Sequence, residues 1–406
     1  MAWVEDMNGR FRVRAYGPDG RVATMAWCQG REEAVAFAAK VPRATPDRGA
    51  RRERRALRLR ERGHAVGPLI RPGSDPRLEA WVTAWRTGLR VNAATRARYE
   101  CLLGVHILPR FGWMRLSAIS RAEIRAWSLK LSATYAPSTV ASILALLSGI
   151  LAEAVRGGLM PVNPASQMGL PRPRRADWEV PDPAAIAVLA EVLEEDWALL
   201  VLLGAYTGMR WGELVGLHRC NVHLTGAGTG FVPFIRVDAE VGALHEVGGQ
   251  IWLGPPKTHA AGRDVHLPAF LAERLAAHLQ GHPYPFVFCG PRGGWLRRSN
   301  FQRRTWAPAL TAARERGCAI PQVMTFHRLR HVHKSWMAED HTPVSLQDHR
   351  LGHAPHGIQG TYEHPTPAMV TQLIADLEGR WKRGGTSVED RFRDRPRLVG
   401  ALTPSH

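Results

Sequence analysis

Cysteine is scarce and scattered: five residues in 406, at Cys28, Cys101, Cys220, Cys289 and Cys318, with no C-x-x-C pair. Such an odd, dispersed set argues against a disulfide framework and for reduced thiols in a cytosolic setting. Long apolar runs are missing too. The longest, Trp197 to Ala205, falls well short of the roughly 20 residues that a spanning helix needs, so no membrane association is expected. The opening residues, Met1-Ala2-Trp3-Val4-Glu5-Asp6, do not read as a signal peptide. Acidic residues are the third shortage: 36 Asp+Glu face 54 Lys+Arg, for a formal charge of +18 and a pI near 10.8. That excess, spread along the whole chain, favours a polyanionic partner, nucleic acid above all.

What is present divides into segments, and the length itself favours two or three domains. Residues 1–42 read as a small β-rich module. Arg10 to Tyr16 alternates cation with apolar residue as a half-buried strand does, Gly17-Pro18-Asp19-Gly20 is turn chemistry, and Arg21 to Trp27 can return. The cations Arg12 and Arg14 either enter a DNA groove or form a solvated strand face. Residues 43–74 are a basic linker. Residues 75–164 read as four helices, the third opened by a capping box at Ser120 and Glu123, with Arg96, Arg98 and Lys130 as candidate phosphate contacts. Residues 165–178 form a hinge, 179–382 a mixed α/β domain with strands at Phe231–Ala239 and Ile251–Leu267, and 383–406 a disordered tail. Arg297 to Arg316 reads as a basic helical pair. The expected fold class is multidomain, mainly α with small β elements.

The chemistry concentrates between Phe326 and His364. Phe326-His327-Arg328-Leu329-Arg330-His331 is followed by Leu351-Gly352-His353 and then by Thr361-Tyr362-Glu363-His364. On a helix, His327 and Arg330 share a face and can reach one anion. Leu351-Gly352-His353 looks like a helix end offering a further donor, and Tyr362 is the candidate nucleophile among these groups. No acidic cluster accompanies them, which argues against a two-metal phosphodiester site. His327 and His331 lack the glutamate of an H-E-x-x-H zinc motif, and no third ligand is indicated. No metal and no cofactor are expected.

This constellation resembles the tyrosine recombinases, the phage integrase family. Counterparts of the family's other motifs stand upstream in order: Thr207-Gly208-Met209-Arg210-Trp211-Gly212-Glu213-Leu214, then Pro256-Lys257-Thr258 followed by Gly262-Arg263-Asp264-Val265. The resemblance, spanning residues 5–380, implies an arm-type DNA-binding module, a helical core-binding domain and a catalytic domain. It also implies roles. Tyr362 becomes a 3′-phosphotyrosyl, Arg210 and Arg330 clamp the phosphate bidentately, and Lys257 protonates the 5′ oxygen. His327 and His353 bond the phosphate, His327 also accepting the tyrosine proton, while Glu213 supports. The implied partners are double-stranded attachment sites, three further copies in a synaptic homo-tetramer, and an excisionase or DNA-bending protein. The segment around Leu377 and Trp381 is expected to pack on a neighbouring copy. The alternatives are a type IB topoisomerase-like enzyme and a non-catalytic DNA-binding protein on the same fold.

Overall fold

In the computed structural model, the described residues are 2–7, 10–16, 22–41, 71–168, 178–226, 230–353 and 364–393. They fall into two compact units, residues 1–46 together with 178–406, and residues 47–177.

The second unit is helical. It contains α2 (Leu78–Gly88), α3 (Ala93–Leu102), a π turn running into α4 (Leu108–Phe111), α5 (Arg121–Ser132) and α6 (Pro137–Arg156). The expected capping box opens α5: Ser120 Oγ accepts from the Glu123 N–H at 3.2 Å, and the Glu123 carboxylate accepts from the Ser120 N–H at 3.2 Å. Helix α6 corrects one sequence expectation. By length and apolarity alone it could cross a membrane, against the expectation that no stretch approaches spanning length. Its stripe from Val140 to Ala154 is buried in this unit's core, against Leu78, Val82 and Phe111. Trp81 closes the packing by donating from Nε1 to the Ile150 carbonyl at 3.0 Å.

The first unit is built round α8 (Glu195–Thr207), every residue of which from Ala198 to Thr207 is buried. Helices α7 (Pro183–Glu191), α9 (Trp211–Val215), α10 (Ala269–Gln280) and α13 (Arg328–Glu339) pack on it. Two small sheets lie alongside. One has the order β4–β5–β8 (Val222–His223, Phe234–Val237, Arg263–His266), all antiparallel; the other is the hairpin β6–β7 (Ala243–Val247, Gln250–Gly254). Gly248 and Gly249, both at positive φ (57° and 79°), make the two-residue turn that twist-matched hairpins favour. Hence β7 pairs with β6 and not with β8. Lys257 therefore lies in the exposed connection between the two sheets, which interrupts the strand expected over Ile251–Leu267. The basic stretch after Arg297 is one helical path and not a pair: α11 (Arg298–Phe301) continues through a π turn, Gln302–Trp306, into α12 (Ala307–Glu315).

Two terminal segments complete this unit. The N-terminal meander β1–β2–β3 (Ala2–Met7, Arg10–Tyr16, Val22–Cys28) and α1 (Arg31–Lys40) bury Val13, Met25, Cys28 and Phe37 in the same core as α8. Phe37 packs edge-on against His218 at 4.8 Å and Phe286 at 5.8 Å. The segment read as a separate module thus shares its apolar face with residues 178–393. At the other end, α15 (Pro367–Arg393) extends past residue 382, where a disordered tail was expected, because no proline interrupts its pattern. Leu373, Leu377 and Trp381 are buried in their own chain's core, not presented to a neighbour. Trp381 stacks on Phe270 at 4.4 Å, and Arg380 pairs with Asp340 at 2.6 Å. Residues 394–406 lie outside the described residues.

Candidate active site

Helix α8 ends at Gly208 in the left-handed conformation, φ 65°. An added Cβ there would stand 2.7 Å from Leu351 Cδ2 and 2.8 Å from His333 Cδ2, so both the backbone sign and the space demand glycine. The reversal places Arg210 immediately before α9. The buried Glu213 carboxylate then accepts from the Arg210 backbone N–H at 3.0 Å and from its Nη1 at 2.7 Å. Its Oε2, which takes that backbone N–H, also accepts from Arg263 Nη2 at 3.0 Å. Burial pushes the Glu213 pKa up, but Arg263 and Arg210 outweigh it and hold the carboxyl below its ordinary value. Arg210 keeps 19% of its side chain exposed against 1% for Arg263, so Arg210 alone of this pair can reach a ligand.

From the opposite side, α13 delivers His327 and Arg330. Arg330 is buried. Its Nη1 donates to the Gly208 carbonyl at 2.8 Å, and its Nη2 donates to the Leu351 carbonyl and lies 2.9 Å from His353 Nε2. Burial and the nearby Arg210 charge lower its pKa, yet a guanidinium begins so high that it stays cationic. His327, at the N-terminal edge of α13, is pushed down to about 4 by burial, then by His331, Arg330 and Arg210. It is a neutral base near pH 7.

His353 follows Gly352, the left-handed residue that ends α14 (Val344–Leu351). Its Nδ1 faces Asp348 Oδ1 at 3.4 Å. Burial and Arg330 lower its pKa, against the opposing pull of Asp348. The connection carrying Lys257 is tied to the same turn, since Thr258 Oγ1 donates to the Gly352 carbonyl at 3.0 Å. Lys257 itself is exposed.

Arg210, Glu213, His327, Arg330 and His353 are thus brought together, with the Lys257 connection at their edge. Tyr362 falls in residues 354–363, outside the described residues. Sequence reasoning passed over three supports. Arg263 reaches the Arg350 carbonyl at 2.6 Å as well as Glu213. Arg350 is buried, its Nε donating to His333 Nε2 at 2.8 Å and its Nη2 to the Tyr206 carbonyl at 2.9 Å. Burial holds the pKa of His333 far down, and so neutral. A usable signal existed for Arg263: alternation along β8 puts it on the same inward face as Val265.

The proposed DNA contacts fare differently. Arg12 donates to Glu5 at 2.7 Å and lies 5.3 Å over the Trp27 ring, and Arg14 pairs with the same carboxylate at 3.5 Å. The β2 cations are therefore partly neutralised within their own sheet. Arg96 donates to the Leu89 carbonyl at 2.9 Å and Arg98 to Ser142 Oγ at 2.7 Å; both are exposed, as is Lys130.

Arg210 and Arg263 thus bond one buried carboxylate, Glu213, with Arg330 near enough to feel its charge and Arg350 behind Arg263. Such a focus of positive charge suits an anion. Comparison with known proteins agrees. Residues 186–369 match the phage integrase family. The chain is similar to a putative prophage phiRv2 integrase of Mycobacterium tuberculosis, 27% identical over 376 residues, covering 91% of this chain and 92% of the relative. It is also similar to the tyrosine recombinase XerC of Chromohalobacter salexigens, 29% identical over 231 residues, covering 54% of this chain and 67% of the relative. Among solved structures, the fold is similar to that of the Tn1549 transposon integrase in complex with transposon right-end DNA, with a TM-score of 0.60 at 15% identity, covering 76% of this chain and 99% of that one. Motif order, site geometry and these likenesses converge on the phage integrase family of tyrosine recombinases, whose model residues 186–369 match.

Proposed function

We infer that this protein is a site-specific DNA recombinase of a phage or mobile element, working through a covalent tyrosyl intermediate. The observation that carries the reading is the junction at Arg330, which binds the carbonyl two residues before Arg210 at 2.8 Å and meets His353 at 2.9 Å. That junction, with His327 close enough to feel both Arg330 and Arg210, supports reading two guanidiniums and two histidines as partners of one phosphate.

In this reading Tyr362 Oη attacks the scissile phosphorus and its proton passes to neutral His327. The bond from phosphorus to the 5′ oxygen breaks, and that oxygen takes a proton from Lys257. Arg210 and Arg330 face the charge that develops on the non-bridging oxygens. His353 Nε2 accepts from Arg330 while Nδ1 faces Asp348; to donate to the phosphate the ring takes up a proton on Nε2, which the Asp348 carboxylate favours. A 5′ hydroxyl from a partner duplex then attacks the phosphotyrosine and restores Tyr362, so strands exchange without ATP. The substrate is double-stranded attachment-site DNA in the cytoplasm. The assembly is four copies on two sites, helped by an excisionase or a DNA-bending protein.

The test is covalent trapping on a nicked duplex carrying the element's junction sequence. A detergent-resistant protein–DNA adduct is expected, absent in Tyr362→Phe and unchanged by chelator. Tight binding with no adduct from the wild-type chain would instead support a DNA-binding protein that has lost cleavage.

A further inference from the structure

The turn Arg219–Asn221, remote in sequence from the N-terminal sheet, meets the end of β3 at a cluster that the recombinase chemistry does not use. Cys220 Sγ lies 2.7 Å from the Trp27 carbonyl, and Cys28 lines the same cavity as Cys220. His218 Nδ1 is 2.9 Å from Cys220 Sγ. Glu33, in the first turn of α1, adds a carboxylate oxygen. That oxygen, Cys220 Sγ and a His218 ring nitrogen all lie within 4.8 Å of one another. Cys28 is fully buried and His218 is 5% exposed. His218 Nε2 has no hydrogen-bond partner, so the ring's polar contacts rest on Nδ1, on the Cys220 side.

Packing alone gives no reason for a thiol, an imidazole and a carboxylate from segments far apart in sequence to converge beside a second thiol. Their chemistry does. One sulfur, one nitrogen and one oxygen within mutual reach are zinc-class donors. We propose that Glu33, His218 and Cys220 bind one zinc-class divalent cation, with the neighbouring Cys28 thiol closing the coordination, and that the ion staples β3 and α1 to the catalytic fold. Tetrahedral bonds of about 2.3 Å to sulfur and about 2.0 Å to nitrogen set the two ligand atoms roughly 3.5 Å apart. The His218–Cys220 contact then has only a few tenths of an ångström to open. Binding releases one proton from each thiol to solvent. The resulting two thiolates and carboxylate exceed the metal's charge by one, which Arg10 faces, Arg236 being already paired with Asp264 at 2.7 Å. Arg10 lines a cavity of about 390 Å³ that opens on Cys28 and Cys220 and gives the ion a way in.

The full-length chain, carrying no histidine tag and grown with added zinc, is desalted into metal-free buffer and assayed by elemental mass spectrometry. One equivalent of zinc per chain is expected, retained in the control Cys101→Ser and lost in Cys28→Ser/Cys220→Ser. Exchange into cobalt should give the near-ultraviolet thiolate-to-cobalt band and tetrahedral visible bands on the wild-type protein, a reading that needs no variant to fold. Zinc content equal in the wild type and the double variant, or a cobalt spectrum without the thiolate band, overturns the proposal. So does a non-reduced digest in which Cys28 and Cys220 are recovered as one disulfide-linked peptide.

Discussion

At the scale of single residues, the site is an exercise in keeping cations together. Arg263 and Arg350 are wholly internal and satisfied by carbonyls, His333 and Glu213, so they build a frame from which Arg210 and Arg330 are offered. Glu213 is the one carboxylate in that frame. Glu213→Ala would leave Arg263 buried without its counter-charge, and the expected loss is about 3–5 kcal/mol in chemical denaturation; a change within error would mean that water reaches Arg263. The histidines set the pH response. His327 is depressed to about 4. Its base form is therefore present throughout pH 5–8, and cleavage at subsaturating DNA, which reports the free enzyme, should show no acidic inflection near 6.5. An inflection there would assign the base elsewhere. Stability behaves differently. His327 is too exposed for its shift to count fully toward stability, while His218 and His333, both buried, have folded pKa values below the ordinary histidine value. Below pH 6.5 the unfolded chain takes up protons that these rings refuse, so folding weakens as pH falls, by about 1.4 kcal/mol per ring per pH unit. His278, raised by Asp196, acts in the opposite sense. Denaturant titrations at pH 7.5 and 5.5 check the net sign.

At the scale of elements, backbone geometry positions these residues, and here legibility divides. The helices bearing Arg210, His327, Arg330 and His353 were readable because an apolar helical period, a Gly stop and capping chemistry are local signals. The capping box at Ser120 and Glu123 is the plainest instance. The sheet pairing was not readable from Ile251–Leu267 alone, since the decisive turn is Gly248–Gly249, and its partner strand Ala243–Val247 contains His245 and Glu246 on a short, weakly patterned run. Lys257 was therefore placed on the wrong element though on the right stretch. Buried Arg350 and His333 escaped because a polar residue gives no sign in sequence that tertiary packing will satisfy it. The turn at Gly208 makes a sharp test of how far the element controls the site. Gly208→Ala combines about 1–2 kcal/mol of left-handed strain with about 1–3 kcal/mol of overpacking against Leu351 and His333. We expect a stability loss of about 2–4 kcal/mol together with loss of the covalent adduct, because the carbonyl that anchors Arg330 moves. An adduct formed at the wild-type rate would show that Arg330 is positioned from α14 alone.

At the scale of the whole molecule, the question is what the first forty residues are for. Strand patterning set them apart as a β module and the family resemblance as a DNA-binding one, and nothing in one strand's sequence reveals which surface its apolar side covers. In the fold that side is shared: Val13, Met25, Ala34 and Phe37 belong to the same continuous core as Leu217, Phe286 and Leu253. Phe37 seals His218 and Phe286, and Glu5 already pairs the β2 arginines. An autonomous module and a shared core make opposite predictions for a chain lacking residues 1–41. If the module were independent, the remainder would melt where the full protein does. With a shared core, removal strips cover from Phe286, Leu217 and His218, each large buried side chain being worth about 1.5–3 kcal/mol when exposed. The truncated chain should therefore melt several degrees lower and bind a dye that reports exposed apolar surface. An unchanged melting temperature with no dye binding would return residues 1–41 to the status of a detachable arm and confine stability to residues 178–393.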